Sequence, residues 1–385
     1  MIAYDAIVIG VGGVGSAALW RLAQRGVRVL GIERFAPGHD RGSSHGQTRL
    51  IRRAYFEHPD YVPLVERAFD GWRELEQCTG ETLFHQCGLL QVGPADGVVL
   101  AGVRESARRH GLDIENLSAA QVTAEFPGFL VPDGCEAVLE RGAGYLRVER
   151  CVELHAQEAV RAGAELRTGE AVRRWTSEGS GFRVETDRGA YSAGRLVIAA
   201  GAWASQLLAE LEIPFEVRRK PLYWFATRSD VYQAGRGCPG FLYDLAEGCF
   251  YGVPEIDAAG VKVGQHSGGL VVDDPLTVSR DVDPIDFGQV ANFVSRCLIE
   301  ATTQRTDHTT CMYTMTPDEH FVVDRHPHRP GVVFAAGLSG HGFKFTSVLG
   351  QALADLSLDG TTALPVAFLS ADRPALRRRV RDSGH

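Results

Sequence analysis

The sequence predicts an α/β protein of two domains, one wound around a parallel sheet and the other resting on an antiparallel sheet. Three observations carry this. A strand–helix–strand unit punctuated by glycines fills residues 4–33. Two further apolar runs, residues 195–203 and 331–337, read as buried strands that end in glycine turns and join the first in one parallel sheet. Between those runs, residues 220–309 alternate polar and apolar positions, as in Val261-Lys262-Val263-Gly264, which is the period of an antiparallel sheet.

The opening unit begins with Ala6-Ile7-Val8-Ile9, a β-branched run long enough for one buried strand. Gly10, Gly12 and Gly15 follow at the spacing G-x-G-x-x-G. Ala17, Ala18, Leu19, Leu22 and Ala23 form a small apolar helical face, Gly26 stops the helix, and residues 27–32 make a second strand that ends at Glu33. Gly10 allows the tight turn, Gly12 lets a pyrophosphate approach the backbone, and Gly15 lets helix and strand pack closely. The helix N-terminus offers free N–H groups to phosphate. Glu33 accepts hydrogen bonds from a ribose diol and repels a 2′-phosphate. FAD and NAD both satisfy this pattern, whereas NADP is disfavoured.

At 385 residues the chain is longer than one hydrophobic core usually supports. A net charge of −8 leaves no basic footprint for nucleic acid. The arginines at 377–379 read as a solvated helix end. No apolar run reaches the roughly 18 residues of a membrane span, and the chain enters its first strand without a basic leader, so a cytoplasmic protein is expected. The eight cysteines form no C-x-x-C pair, which points away from zinc and redox dithiols and toward reduced thiols. No metal site is expected.

After Glu33 a Gly/Ser-rich loop leads into the basic segment 48–55. His58-Pro59-Asp60 reads as the cap of a helix to about Cys78, with Leu64, Val65, Ala68, Phe69, Trp72 and Leu75 on one face. A strand at 88–92, helices at 98–110 and 149–162 and a strand at 166–168 complete the first half. The expected division assigns residues 1–86, 148–220 and 310–385 to the dinucleotide domain. Residues 87–147 and 221–309 form the second.

Three strings carry a resemblance: Gly42-Ser43-Ser44-His45-Gly46-Gln47-Thr48-Arg49-Leu50-Ile51-Arg52, then Phe250-Tyr251-Gly252, then Cys311-Met312-Tyr313-Thr314 through Ser339-Gly340-His341-Gly342-Phe343-Lys344-Phe345. With them the chain resembles the monomeric sarcosine oxidase and N-methyltryptophan oxidase family, from the first strand to about residue 360. The resemblance implies a glutathione-reductase-like FAD domain beside an α+β substrate domain. It implies oxidation of a secondary or tertiary amino acid to an imine by hydride transfer to flavin, with O2 reduced to hydrogen peroxide by a monomeric enzyme. Sarcosine, N-methyltryptophan and pipecolate typify the expected substrates.

The resemblance also places residues. Cys311 falls where the family carries its covalent flavin link, and Arg305 and His308 are nearby cations that would favour its thiolate. Lys262 matches the lysine that activates oxygen, where fixed positive charge stabilises superoxide as it forms. Arg49 falls where an arginine stacks on the flavin, with His45 in the same loop. Arg52 and Lys344 match the pair that holds the substrate carboxylate, the guanidinium offering a two-pronged donor. Tyr251 and His266 match polar residues of the substrate pocket that orient the amine and favour its neutral form. Ser43, Thr48, Gly201, Gly340, Gly342 and Phe343 join Gly10, Gly12, Gly15 and Glu33 as expected FAD contacts. Tyr223-Trp224-Phe225 is either a pocket wall or core. Ser44 and Gln47 depart from the family's frequent His and Asp.

Three other readings follow from parts of the pattern. A flavin dehydrogenase would keep the amine site and pass electrons to a carrier. An NAD-dependent dehydrogenase would use the N-terminal unit and leave Cys311, Lys262 and the Gly340–Lys344 string unused. A non-catalytic flavin-binding module would bind FAD and turn over nothing.

Overall fold

The computed structural model describes residues 3–377, so Arg378 and Arg379 of the arginine cluster, and the last residues of the expected first domain, lie outside it. The three apolar runs do share one sheet. Strand Ala190–Ile198 lies parallel to Ala3–Ile9 on one side, and its C-terminal half lies parallel to Val332–Ala336 on the other. Val29–Ile32 and Glu165–Arg167 extend the sheet in parallel beyond Ala3–Ile9. Val29–Ile32, Val332–Ala336 and the last three residues of Ala190–Ile198 are buried apolar runs because helices cover them, whereas the edge strand Glu165–Arg167 is largely exposed. Helix Gly13–Gln24 packs against helices Val148–Arg161 and Thr346–Leu358. A Cβ on Gly350 would come within 2.5 Å of the Ala17 Cβ, so the last crossing is as close as glycine allows.

The second sheet has eight strands in the order Ala301–Met315, Glu216–Thr227, Val261–Gln265, Gly248–Val253, Gly240–Leu245, Leu89–Pro94, Cys135–Glu140 and Glu115–Leu117. It is antiparallel as expected except at one seam, where Gly240–Leu245 runs parallel to Leu89–Pro94. That seam joins the two distant chain segments of the second domain, and only a hairpin demands antiparallel pairing. Helix Pro284–Cys297 closes this sheet's core. Asp283 caps it by accepting from Ile285 N and Asp286 N, and the Phe250 and Phe293 rings stack 4.6 Å apart beneath it.

Strands Glu216–Thr227 and Ala301–Met315 pair from Glu216–Met315 to Thr227–Ala301 and cross the expected boundaries at 220 and 309. Their inner ends reach the first sheet's loops, which carries Cys311 and Tyr313 from one domain to the other. The helix expected after residues 58–60 spans Tyr61–Thr79, but the Asp60 side chain does not cap it. Asp60 already has helical dihedrals, and its carboxylate pairs with Arg109 at 3.0 Å instead. Among the described residues no helix is long and apolar enough to cross a membrane.

Candidate active site

A cleft of about 1310 Å³, open to solvent, runs along the C-terminal ends of the parallel strands. Gly10, Gly12, Gly13 and Val14 form one wall, at the start of the first helix, and Glu33 stands at the end of the second strand. A Cβ on Gly12 would meet nothing nearer than Ser44 Oγ at 4.0 Å, so its missing side chain opens the backbone to the cleft. Gly10 has φ +85°, and a Cβ on Gly15 would sit 1.8 Å from Gly10 O. Gly15 therefore serves close packing and does not line the cleft. Glu33 accepts from Val11 N and Phe35 N at 2.8 and 3.0 Å. Burial alone would raise its carboxyl, but His39 and these N–H donors outweigh it and hold the group ionised. Helix N-terminus, glycine opening and terminal carboxylate together fit FAD, with the carboxylate suited to the ribose. Ser43, Gly201, Gly340, Gly342 and Phe343 also line this cleft.

The loop before strand Thr48–Ile51 brings three expected residues together. Arg49 donates to Ser43 O at 3.0 Å and to Cys311 Sγ at 3.1 Å. The cation beside the thiol is thus Arg49, not Arg305 or His308. Arg305 sits over the Phe287 ring, because the long strand carries it outward past the cleft. Lys262 is 2 % exposed and lies behind this loop, outside the lining of the cleft. Its Nζ donates to Gly46 O at 2.9 Å, to Thr48 O at 2.7 Å and to Thr48 Oγ1. Burial and Arg49 push its pKa well below the usual lysine value. Three acceptors around Nζ nevertheless match the three donors of an ammonium, which favours the cation. Thr48 therefore holds Lys262 and does not itself line the cleft. His45 is buried, its Nε2 has no hydrogen-bond partner among the described residues, and burial with Arg49 lowers its pKa to about 3.

A smaller cavity adjoins the cleft and shares Arg49, Tyr313, Gly340 and Phe343 with it. Its far wall carries Arg52 and Lys344. Arg52 gives Nη2 to Glu57 at 2.6 and 2.8 Å and lies between the Tyr55 and Phe56 rings, its carbon 4.6 and 4.7 Å from their centres. Its Nε is buried without a partner among the described residues. Burial alone would raise the Glu57 carboxyl, but Arg52, His341 and Lys344 outweigh it and hold it down at about 2. Lys344 donates to His341 O at 2.7 Å and to the Tyr55 hydroxyl at 3.3 Å. Burial, then Arg52, pushes its pKa well below the usual lysine value, against the pull of the Glu57 carboxylate, which an incoming substrate carboxylate would reinforce. An ammonium has three donors, and one stays available to the cavity. Lys262 has no such spare donor.

Tyr251, His266 and Tyr313 form the opposite wall. His266 Nδ1 stands 3.4 Å from the Tyr313 hydroxyl. Burial, then the charge of Lys220, lowers the His266 pKa to about 3, so the imidazole is neutral. The Tyr223-Trp224-Phe225 stretch is not a wall of either cavity. Tyr223 and Phe225 belong to the second core, and alternation along the strand turns Trp224 toward the loop at 46–48.

Residues 5–356 match the family model described as FAD dependent oxidoreductase, DAO. The chain belongs to this family. A monomeric sarcosine oxidase of Streptomyces avermitilis is 43% identical over 377 residues, covering 97% of this chain and 98% of that protein. An N-methyl-L-tryptophan oxidase of Yersinia pestis (strain Pestoides F) is 36% identical over 374 residues, covering 96% and 99%. Among solved structures, NikD, an unusual amino acid oxidase essential for nikkomycin biosynthesis, superposes with TM-score 0.85 at 26% identity over 96% of this chain and 98% of that one. An L-proline dehydrogenase of P. horikoshii shares the fold, TM-score 0.82 at 22% identity over 99% and 100%. The protein is thus an FAD-dependent amine oxidoreductase with a Rossmann FAD domain and a second, sheet-based domain.

Sequence reasoning passed over Glu57, Phe56, Tyr55 and His341 as site residues. Tyr313 and His341 stand inside quoted motifs, and that placement was the available signal. Glu57 and Phe56 had none, because only the fold turns the segment after Arg52 back over its guanidinium.

Proposed function

We propose that the protein is an oxidase of small secondary amino acids, N-methyl or cyclic, which it converts to imines with release of hydrogen peroxide. One observation carries the reading: two buried cations, Arg52 and Lys344, face neutral Tyr251, His266 and Tyr313 across a cavity that opens into the cofactor cleft. The substrate carboxylate takes the spare Lys344 donor and the unpartnered Arg52 Nε, while Glu57 keeps Arg52 oriented. These cations, with no acid among the opposite-wall residues, disfavour a protonated amine, so the nitrogen keeps the lone pair that drives hydride departure. His266 and Tyr251 orient that nitrogen by hydrogen bonding, and neither has to act as an obligatory base.

FAD, when bound, accepts the hydride from the carbon next to nitrogen and passes two electrons to O2. Gly340, Gly342 and Phe343 shape the wall it would face, and Cys311 with Arg49 at its thiol is the group that would anchor it covalently. Arg49 on the cleft wall, with the Lys262 ammonium behind its loop, would supply the positive charge that oxygen-side reduction needs. Loss of hydride and a proton leaves the imine, which water hydrolyses. A monomer suits this reading through the name of the relatives, monomeric sarcosine oxidase, and eight unpaired cysteines suit a reducing compartment such as the cytoplasm.

The test is anaerobic titration of the yellow protein with sarcosine, N-methyltryptophan and pipecolate, followed by air and a peroxide assay. Bleaching with one of them, then recovery with stoichiometric peroxide, is expected. Bleaching without peroxide would make it a dehydrogenase. No bleaching with any secondary amino acid would refute the substrate class.

A further inference from the structure

The geometry points to Gln47 as the positioning residue for Lys262: it locks the turn whose carbonyls hold the lysine ammonium. The inference deepens the oxygen-side role given to Lys262 above and rests on that reading.

Gln47 has φ +73°, in the left-handed region that glutamine rarely adopts, and Gly46 before it has φ +88°. Thr48 N donates to Gly46 O at 2.8 Å, so Gln47 is the centre of a three-residue turn of the rare, strained hand. Such a residue persists only where its surroundings over-determine it, and outliers of this kind concentrate at functional sites. Here several groups do so. The Glu149 carboxylate accepts from Gly46 N at 2.7 Å and from Gln47 N at 3.0 and 3.1 Å. Val148 N donates to Gln47 O at 3.1 Å. The side-chain amide is clamped at both ends. Its oxygen accepts from Trp224 Nε1 at 3.1 Å, and its nitrogen donates to Asp257 Oδ2 at 2.5 Å. The first two anchors belong to the FAD domain and the last two to the second sheet and its loop.

The output of the turn is specific. Gly46 O and Thr48 O, flanking Gln47, converge on Lys262 Nζ together with Thr48 Oγ1. The Trp224 ring that holds the amide also lies 5.9 Å from that Nζ. Arg49, which reaches Cys311, is the next residue but one. A free turn would let these carbonyls swing away and leave a buried cation without its acceptors. A glutamate at position 47 would face the Asp257 carboxylate, so a neutral amide matches its partner.

The test separates the two half-reactions of the flavin-loaded enzyme by stopped flow and adds hydrogen exchange of the peptide covering residues 46–49. Gln47→Ala and Gln47→Glu should each slow reoxidation by O2 about tenfold, with anaerobic reduction by the amino acid within about twofold of wild type. Both should raise exchange in that peptide. The pair Gln47→Glu with Asp257→Asn restores one donor and one acceptor and should recover both readouts. Where Lys262→Met slows reoxidation, wild-type reoxidation in Gln47→Ala, equal loss in both half-reactions, or no recovery in the pair would each overturn the inference. Lys262→Met tells the two readings apart. If it reoxidises like wild type, the oxygen role of Lys262 fails. The positioning role then stands or falls on exchange, and unchanged protection in Gln47→Ala overturns it.

Discussion

Arg49 Nη2 lies 3.1 Å from Cys311 Sγ, a pairing across 262 residues of sequence that places a fixed cation on a buried cysteine, which does not itself line the cleft but precedes the lining residue Met312. Burial raises the Cys151, Cys238, Cys249 and Cys297 thiols, and the cations that oppose it, Arg52 and Lys220 at Cys249 and Arg296 at Cys297, do not outweigh it. A guanidinium at this distance stabilises charge on sulfur as it attacks carbon. Cys311→Ala should therefore purify with FAD that acid precipitation releases completely, whereas the wild-type pellet stays yellow. Arg49→Ala should slow the appearance of acid-stable flavin in apoprotein given FAD. Yellow pellets from Cys311→Ala would move the attachment elsewhere.

The glycines of the first turn should separate into two kinds. Gly15 cannot take a Cβ without driving it into Gly10 O, and backbone cannot yield as a side-chain tip does. Gly15→Ala should cost several kcal/mol of stability, on the order of an overpacked core (roughly 1–3 kcal/mol or more). Gly12→Val should fold with near-native far-ultraviolet dichroism, because its new side chain projects into the cleft. It should nevertheless bind no FAD. Tight FAD binding by Gly12→Val would mean that the cofactor does not approach this turn.

Lys344 is the buried lysine with a donor to spare, so its removal should read as lost binding. Lys344→Met should raise KM for the amino acid about tenfold to a hundredfold, matching the roughly 1.5–3 kcal/mol of a charged hydrogen bond. kcat should change much less. Glu57→Gln leaves the Arg52 guanidinium unpaired and free to turn, so KM should rise there too. A fall in kcat with constant KM in Lys344→Met would place the lysine at the chemistry instead of at the carboxylate.

Much of this architecture is legible from local pattern. Strand 331–337 joins the first sheet because a β-branched, uncharged run has no other stable place, and Val98–His110 forms as its periodicity requires. Lys262 and Arg52 could be named only through long motifs, because alternation alone would turn a lysine in V-K-V-G to solvent. The parallel seam between Leu89–Pro94 and Gly240–Leu245 was not legible, since either direction buries the same side chains. Nor was the Arg49–Cys311 pair, or the Glu57 cover on Arg52. Each depends on a crossing of distant segments that leaves no periodic trace.

Buried and half-buried histidines give the protein a directional response to acid. Burial, first among the causes in each case, lowers the pKa of His45, His155 and His266 to about 3 and that of His341 to about 4, from an ordinary value of 6.5. The unfolded chain binds protons at these positions between about pH 6.5 and those lower values, and the native protein does not. Their contribution to stability is therefore complete above pH 6.5 and is lost as pH falls toward 4, at roughly 1.4 kcal/mol per pH unit for each histidine. Glu57, depressed from 4.5 to about 2, adds its own loss only below about pH 4.5. The urea midpoint should thus drop between pH 7.5 and 5.5, before Glu57 contributes. His155 sits 5.5 and 5.3 Å from the Trp20 and Trp72 rings, away from both cavities, with Nδ1 unpartnered among the described residues. His155→Phe removes one proton from the balance without touching the site, so it should flatten the slope by at most roughly 1.4 kcal/mol per pH unit, with His85, His320 and His326, also lowered by burial, keeping their share. A midpoint that holds steady from pH 7.5 to 5.5 would show that these imidazoles protonate inside the folded protein.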